Sequence, residues 1–326
     1  MSNSSDRPTI ALAIGDPAGI SPELTARVFA LPEIQAAAKL VVIGDWRVFL
    51  EGARVAGIKN QPEHFVDVGN LDPATIERGV ASREGGASAL ANYRHALAMV
   101  LAGDAQAVCF TPFNKQAMRL AHSSYDDEIR FTAQETGFNG TATEFNILEG
   151  LWNARVTSHI PLKDVSAALD SDSIVKALEL TATALKAAGI REPRIGVAAL
   201  NPHAGDGGNF GREEIEIISP AVARAQALGL PAEGPYPADT VFVRAKAGQF
   251  DAVLTMYHDQ GQIAMKLLGF DRGVTLLGGF PFPICTPAHG TAYDISGRGV
   301  ANVGATRAAL LLAAKMASGR FALAHS

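Results

Sequence analysis

Two observations predict an α/β fold with a mostly parallel sheet. Short apolar runs recur along the chain, and longer segments with helical periodicity lie between them. A third, that polar Gly- or Pro-containing segments follow the runs, points to a ligand site at one sheet edge. Ile10–Ile14 is the first buried run. It leads through Gly15-Asp16-Pro17 to a helix start at Ser21-Pro22, with serine as N-cap and proline at the first helical position. Leu40–Ile43 is the second run. Ala87–Ala102 places Leu90, Leu97 and Leu101 on one helical face and stops before Gly103. Ala105–Phe110 and Ala154–Ser158 are again strands. Ile174–Ala188 sets Ile174, Leu178, Ala182 and Leu185 on one face, after the capping run Asp170–Asp172 and before Gly189. Arg194–Leu200 is a strand, and Arg212–Leu228 a helix whose Glu213 and Glu214 put negative charge at its start. Ala252–Met256 is the last such strand, and Ala305–Ala317 a closing helix rich in Ala and Leu.

Composition sets the outer bounds. The 326 residues are 48% hydrophobic and 19% charged, which allows a sizeable core and argues against general disorder. A net charge of −5 argues against a nucleic-acid partner. The 2 cysteines, Cys109 and Cys285, are too few for a disulfide scaffold and suit a reducing cytoplasm. Met1–Thr9 lacks the apolar stretch of a secretory signal, and the apolar segment Ala308–Ala314 is broken by Lys315, so no membrane span is expected. There is no internal repeat and no low-complexity linker. The size suggests two lobes with a cleft between them.

Three strand ends deliver a histidine: His159 after Ala154–Ser158, His203 after Arg194–Leu200, and His258 after Ala252–Met256. Neutral imidazole is the commonest metal ligand, and three around one ion leave room for substrate. One such histidine alone is better read as bonding a local backbone group; three at one sheet edge favour a shared divalent metal. His64, His95, His122 and His325 have no comparable setting. The stretch Gly205–Gly211 before the Arg212 helix could cradle an anion, or simply let the chain turn. Neither G-x-G-x-x-G nor G-x-x-x-x-G-K-[ST] occurs. His289–Asn302 is the remaining candidate for a nucleotide loop, and the residues alone leave it equally open as a plain connection.

The segments GDPAGISPE at 15–23, SHIPLKDV at 158–165, NPHAGDGGNFGREE at 201–214, GPYPADT at 234–240, YHDQGQIAMK at 257–266 and HGTAYDISGRG at 289–299 share an order and spacing with one family. Over nearly its whole length the chain resembles the 4-hydroxythreonine-4-phosphate dehydrogenases, and its last loop resembles the adenosine loop of isocitrate and isopropylmalate dehydrogenases. The resemblance implies a two-lobed α/β/α fold, with residues 1–125 plus 290–326 as one lobe and 126–289 as the other. It implies a homodimer with a shared active site, and a divalent metal (Zn, Co, Ni or Mn) on His159, His203 and His258. It also implies NAD or NADP at His289, Gly290, Thr291 and Asp294, and substrate contact by Lys266. Other substrate positions depart from the family. Its Gly-His-Thr-Glu segment is placed near Asp126-Asp127-Glu128-Ile129, which makes Asp127 and Glu128 substrate-facing; its Asn falls at Thr275 and its Arg at Ile284.

Losing Arg and His while gaining carboxylates disfavours a phosphate dianion. The expected reaction is therefore NAD(P)-dependent oxidation of a secondary alcohol on an unphosphorylated, carboxylate-bearing substrate such as a terephthalate-type cis-dihydrodiol, with decarboxylation. Lys115 and Asp16 are further candidates for proton transfer. The alternatives are 4-hydroxythreonine 4-phosphate or a sugar-acid phosphate as substrate, and a noncatalytic binding protein on the same fold.

Overall fold

The computed structural model of the chain describes residues 7–319, so Met1–Asp6 and His325 lie outside the described residues. From the N-terminus run β1 (Thr9–Ala13), α1 (Ser21–Phe29), α2 (Pro32–Ala37), β2 (Lys39–Gly44), α3 (Trp46–Ala56), β3 (His64–Asp67), α4 (Arg83–Ala102), β4 (Ala107–Phe110), α5 (Lys115–Ala121) and α6 (Glu128–Thr136). Next come β5 (Thr143–Leu148), β6 (Leu151–Arg155), α7 (Val165–Ala168), α8 (Ser171–Ala187), β7 (Ile195–Ala198), α9 (Ser219–Ala227), β8 (Ala232–Tyr236), α10 (Ala238–Lys246), β9 (Ala252–Thr255) and α11 (His258–Gly269). The last described elements are β10 (Val274–Gly278), β11 (Ile284–Pro287) and α12 (Gly304–Ser318).

Two compact units divide these elements. The first takes residues 7–142 and 274–319, the second Thr143–Gly273. The sequence placed the divisions after 125 and 289, so α6, β10 and β11 sit in the first unit and not the second. The reason is pairing and packing: β11 lies in register beside β4, and Phe131 of α6 stacks on Tyr93 of α4 with ring centroids 5.9 Å apart.

In the first unit the strand order is β3-β2-β1-β4-β11-β10, all parallel except β10, which runs antiparallel to β11. Alternate strand residues Ala11, Ala13, Val108, Phe110 and Ile284 share one buried cluster with Leu90, Tyr93 and Leu97 of α4. Each such leucine stabilises the fold by roughly 1.5–3 kcal/mol. The intervening Ile10 and Leu12 are equally buried, so these strands are covered on both faces and read as continuous apolar runs. Cys109 and Cys285 face each other on adjacent strands as buried free thiols, and burial raises the pKa of both.

The second unit has the order β5-β6-β9-β7-β8. β5 and β6 form an antiparallel pair and the rest are parallel. Val241, Phe242 and Ala245 of α10 and Met265 of α11 cluster with Val253, Ala198 and Phe250. Helix α8 packs on β6 and β9, with Ile174, Leu178 and Leu185 buried. Asp170 caps it as expected, accepting a hydrogen bond from the Ser173 N–H at 2.8 Å.

Three local expectations change. Ser21 is not the cap of α1: its Oγ donates to the Pro112 carbonyl at 2.8 Å, and Ile20 holds the cap position. The strand expected at Ala154–Ser158 is shifted to Leu151–Arg155, because Trp152 pairs with Ala252 and sets the register. The Arg212–Leu228 helix opens as a π-helical turn, Glu214–Ile218, before α9. Among the described residues no helix is long and apolar enough to cross a membrane.

Candidate functional site

Parallel strands β6 and β9 lie side by side, and each gives way to a histidine. Past β6 the chain stays beside its neighbour, with the Val156 N–H donating to the Thr255 carbonyl at 2.9 Å and the Thr157 N–H to the Met256 carbonyl at 3.1 Å. His159 follows in the loop, while His258 opens α11 directly after β9. The two imidazoles stand together with ring centroids 5.6 Å apart. His258 Nδ1 lies 2.6 Å from Asp259 Oδ1; in the tautomer with its proton on Nδ1 the carboxylate accepts that proton and Nε2 is the nitrogen left to bind a metal.

His203 has a different setting. It begins a turn in which His203, Ala204, Gly205, Asp206 and Gly207 all take positive φ (53, 54, 82, 46 and 65°). Left-handed backbone costs a non-glycine residue roughly 1–3 kcal/mol, and such strain gathers at functional sites. Buried Glu214 holds this turn: its Oε1 accepts the Leu200 and Asn201 N–H groups at 2.8 and 2.7 Å, and its Oε2 accepts Asn201 Nδ2 at 2.9 Å. The Glu213 Oε2 accepts the same Nδ2 at 2.7 Å, and hydrogen bonds from Ser166 and Asn201 lower the Glu213 pKa. These two glutamates therefore serve the turn and not the helix dipole. A Cβ on Gly205 would lie 2.7 Å from Glu214 Oε2, so the anionic group against this glycine-rich stretch is the chain's own carboxylate.

The His203 ring lies near Phe210, with centroids 6.2 Å apart. Among the described residues no group of three or more His, Cys, Asp or Glu side chains is placed to hold one metal ion. The expected three-imidazole site is thus not assembled within one chain. Two imidazoles, one of them oriented by a carboxylate, do fit a divalent transition metal as a partial donor set. Lys266 is exposed on α11, following His258 and Gln262 at four-residue intervals.

In the first unit, the expected site residues have local partners. Asp127 caps α6, accepting from the Arg130 N–H at 2.8 Å. Glu128 pairs with Lys115 at 3.3 Å, and Asp126 with Arg130 at 2.5 Å. Thr275 stands opposite Thr286 in the β10–β11 pair. Ile284 is 0% exposed within the apolar cluster, so its identity reads as core packing and carries no argument against a phosphate. A Thr-Glu pair also stands at Thr143–Glu144, where β5 begins.

Asp16 is 1% exposed. Its Oδ1 accepts the Ala18 N–H at 2.9 Å, and its Oδ2 accepts the Tyr293 hydroxyl. Tyr293 belongs to the candidate nucleotide loop, which is bound down on the β1–α1 turn. The Ile20 N–H donates to the Thr291 carbonyl at 3.0 Å, and Ser296 Oγ donates to the Ala18 carbonyl at 2.8 Å. A Cβ on Gly19 would sit 2.6 Å from the Thr291 carbonyl oxygen, so this approach requires glycine. Thr291 is buried, whereas Gly290 and Asp294 are exposed and His289 is half-buried with Nδ1 3.0 Å from the Gly290 carbonyl. An exposed backbone turn with a free carboxylate fits the ribose hydroxyls of a nucleotide.

Burial raises the Asp16 pKa, an effect partly offset by the bonds from Tyr293 and Ala18. A carboxyl with a raised folded pKa confers stability that is complete below its unfolded pKa and lost as pH rises through the folded value. Asp16→Asn removes this loss. The variant gains on the native protein as pH is raised from about 3.8, the usual Asp value, towards neutrality; urea midpoints across that range measure it.

The fold and the paired imidazoles define an α/β chain with the makings of a metal-assisted enzyme. Residues 30–313 match the model of the family described as "Pyridoxal phosphate biosynthetic protein PdxA", and the chain belongs to that family. It is 60% identical to the "Putative 4-hydroxythreonine-4-phosphate dehydrogenase 2" of Rhizobium meliloti, over 97% of this chain and 95% of that one. It is 36% identical to the D-threonate 4-phosphate dehydrogenase of Salmonella typhimurium, over 95% of this chain and 99% of that one. Among solved structures, the 4-hydroxythreonine-4-phosphate dehydrogenase of Klebsiella pneumoniae matches with TM-score 0.81 and 33% identity, over 95% of this chain and 99% of that one. The terephthalate 1,2-cis-dihydrodiol dehydrogenase of Burkholderia xenovorans matches with TM-score 0.66 and 30% identity, over 92% and 95%.

Proposed function

We propose that the chain is an NAD(P)-dependent dehydrogenase oxidising the secondary alcohol of a phosphorylated four-carbon acid, of the kind named by its relatives. The observation that carries this reading is the 60% identity to a 4-hydroxythreonine-4-phosphate dehydrogenase homologue over 97% of the chain. The unphosphorylated dihydrodiol reading gives way to its alternative. Among the positions it rested on, Asp127, Glu128 and Ile284 are respectively a helix cap, an ion-pair partner and a core residue. The terephthalate-type neighbour is also the more distant of the two structures compared, at TM-score 0.66 against 0.81.

A divalent metal bound here would supply Lewis-acid polarisation of the substrate alcohol, and a bound nicotinamide would supply the hydride acceptor. His159 and His258 would hold the ion, with Asp259 fixing the His258 ring. His203 of a second copy would complete the set. A homodimer with a shared site is supported by the exposed apolar side chains beside both histidines: Ile160 and Leu162 after His159, Ile263 and Leu267 on α11. Lys266 would contact the substrate. Lys115 and Asp16 are occupied by Glu128 and Tyr293, which favours structural roles for both. The loop at His289, Gly290, Thr291 and Asp294 would receive the cofactor. Oxidation next to the carboxylate-bearing carbon gives a 3-oxo acid, from which loss of CO₂ follows readily. Two buried free thiols suit a cytoplasmic setting.

The test is turnover with NAD and with NADP, plus a divalent metal, on 4-hydroxythreonine 4-phosphate, D-threonate 4-phosphate and a terephthalate dihydrodiol. Reduction of nicotinamide with a phosphate ester is expected. Clear preference for the dihydrodiol would restore the earlier reading.

A further inference from the structure

We propose that Arg155 is a positioning residue that ties together the two segments carrying His159 and His258. The inference rests on reading those histidines as an acting pair. Arg155 is the last residue of β6, and its side chain is only 2% exposed. Arginine is almost never this buried unless paired, so each of its bonds needs a reason. Its three nitrogens point to three different partners. Nη2 donates to Glu144 Oε2 at 2.5 Å, Nη1 to Asn146 Oδ1 at 2.7 Å and Nε to Ser158 Oγ at 3.1 Å.

Two of these bonds lead to the histidines. Ser158 immediately precedes His159, so the Nε bond fixes the start of that loop. Asn146 Oδ1 accepts a second bond, from Gln262 Nε2 at 2.6 Å. Gln262 lies one helical turn after His258 on α11. The guanidinium thus connects the His159 loop on one side and the His258 helix on the other, and Glu144 balances its charge. A buried ion pair alone would require only Arg155 and Glu144. The bonds to Ser158 and Asn146 are the additional feature, and the planar guanidinium makes all three from separate nitrogens held in a fixed fork.

Arg155→Lys keeps the charge but supplies a single point of attachment. A second variant guards against simple misfolding: Glu144→Gln with Arg155→Met removes both charges and leaves neither stranded. Two readouts separate the possibilities. The first needs no metal: in protein labelled at histidine, nuclear Overhauser contacts between the carbon-bound protons of the His159 and His258 rings. They are expected in the native protein and lost in both variants while the melting temperature of Arg155→Lys stays near native. Persistence of these contacts in both variants overturns the proposal. The second is cobalt(II) affinity by calorimetry, expected to weaken about 10–100-fold in both variants, as for loss of a group that orients a ligand. If native protein binds no cobalt yet the ring contacts disappear in the variants, the metal reading fails and the positioning role of Arg155 stands.

Discussion

His258→Ala lowers kcat/KM by about 10³-fold or more, equivalent to roughly 4 kcal/mol of transition-state stabilisation. The side chain is 36% exposed and, among the described residues, hydrogen-bonds to exposed Asp259, so its removal costs the fold little. The melting temperature should stay within a few degrees of native. Asp259→Asn tests the next layer: an amide still contacts Nδ1 but no longer favours the Nδ1-protonated ring, and turnover falls about 10–100-fold. Calorimetry with a divalent metal divides the effect into binding and chemistry. Native turnover in His258→Ala would take the imidazole pair out of the reaction and leave family membership without a mechanism.

The histidines could be found in the sequence because of where parallel strands end. Ala252–Met256 is apolar except for the buried Thr255, since β9 is flanked by β6 and β7 and covered by helices, and a polar imidazole just beyond such a run stands out. The same physics exposed β1, β2, β4 and β7. It failed for β5, β8 and β11, whose sequences TEFNIL, AEGPY and ICTP mix polar residues or proline into short strands. β8 is the last strand of its sheet order, where proline is tolerated. Arg155 and Glu144 were illegible for a related reason. Charged residues in a strand read as solvent-facing, and only the β5–β6 pairing brings the two together in the interior. The three-histidine site was inferred from the rule that strand ends share an edge. That rule places loops in a neighbourhood but does not aim a side chain, and the left-handed turn at 203–207 sets the direction of His203 independently. Ile284 shows the opposite error: a position assigned to substrate by resemblance is one that packing claims.

Glu214 gives the second large effect, and it concerns stability and function together. Its carboxylate is 3% exposed and accepts two backbone N–H groups and one side-chain amide where the chain leaves β7. Those N–H groups lie at the end of a strand, with no ladder partner to replace the carboxylate. Glu214→Ala leaves these part-buried groups unpaired at about 1–3 kcal/mol each, so a loss of roughly 2–5 kcal/mol is expected in urea unfolding. The strained turn then loses the anchor that offsets its left-handed backbone, and turnover should fall further than the stability loss alone would explain. Glu214→Gln distinguishes charge from shape. The amide oxygen can still accept both backbone N–H groups, but the amide nitrogen faces Asn201 Nδ2, a donor already committed to Glu213 Oε2. A smaller loss, about 1–2 kcal/mol, is therefore expected, with activity between native and alanine. If Glu214→Ala proves as stable and as active as native protein, the turn holds itself. The strain at His203, Ala204 and Asp206 would then have to be offset by contacts other than this carboxylate.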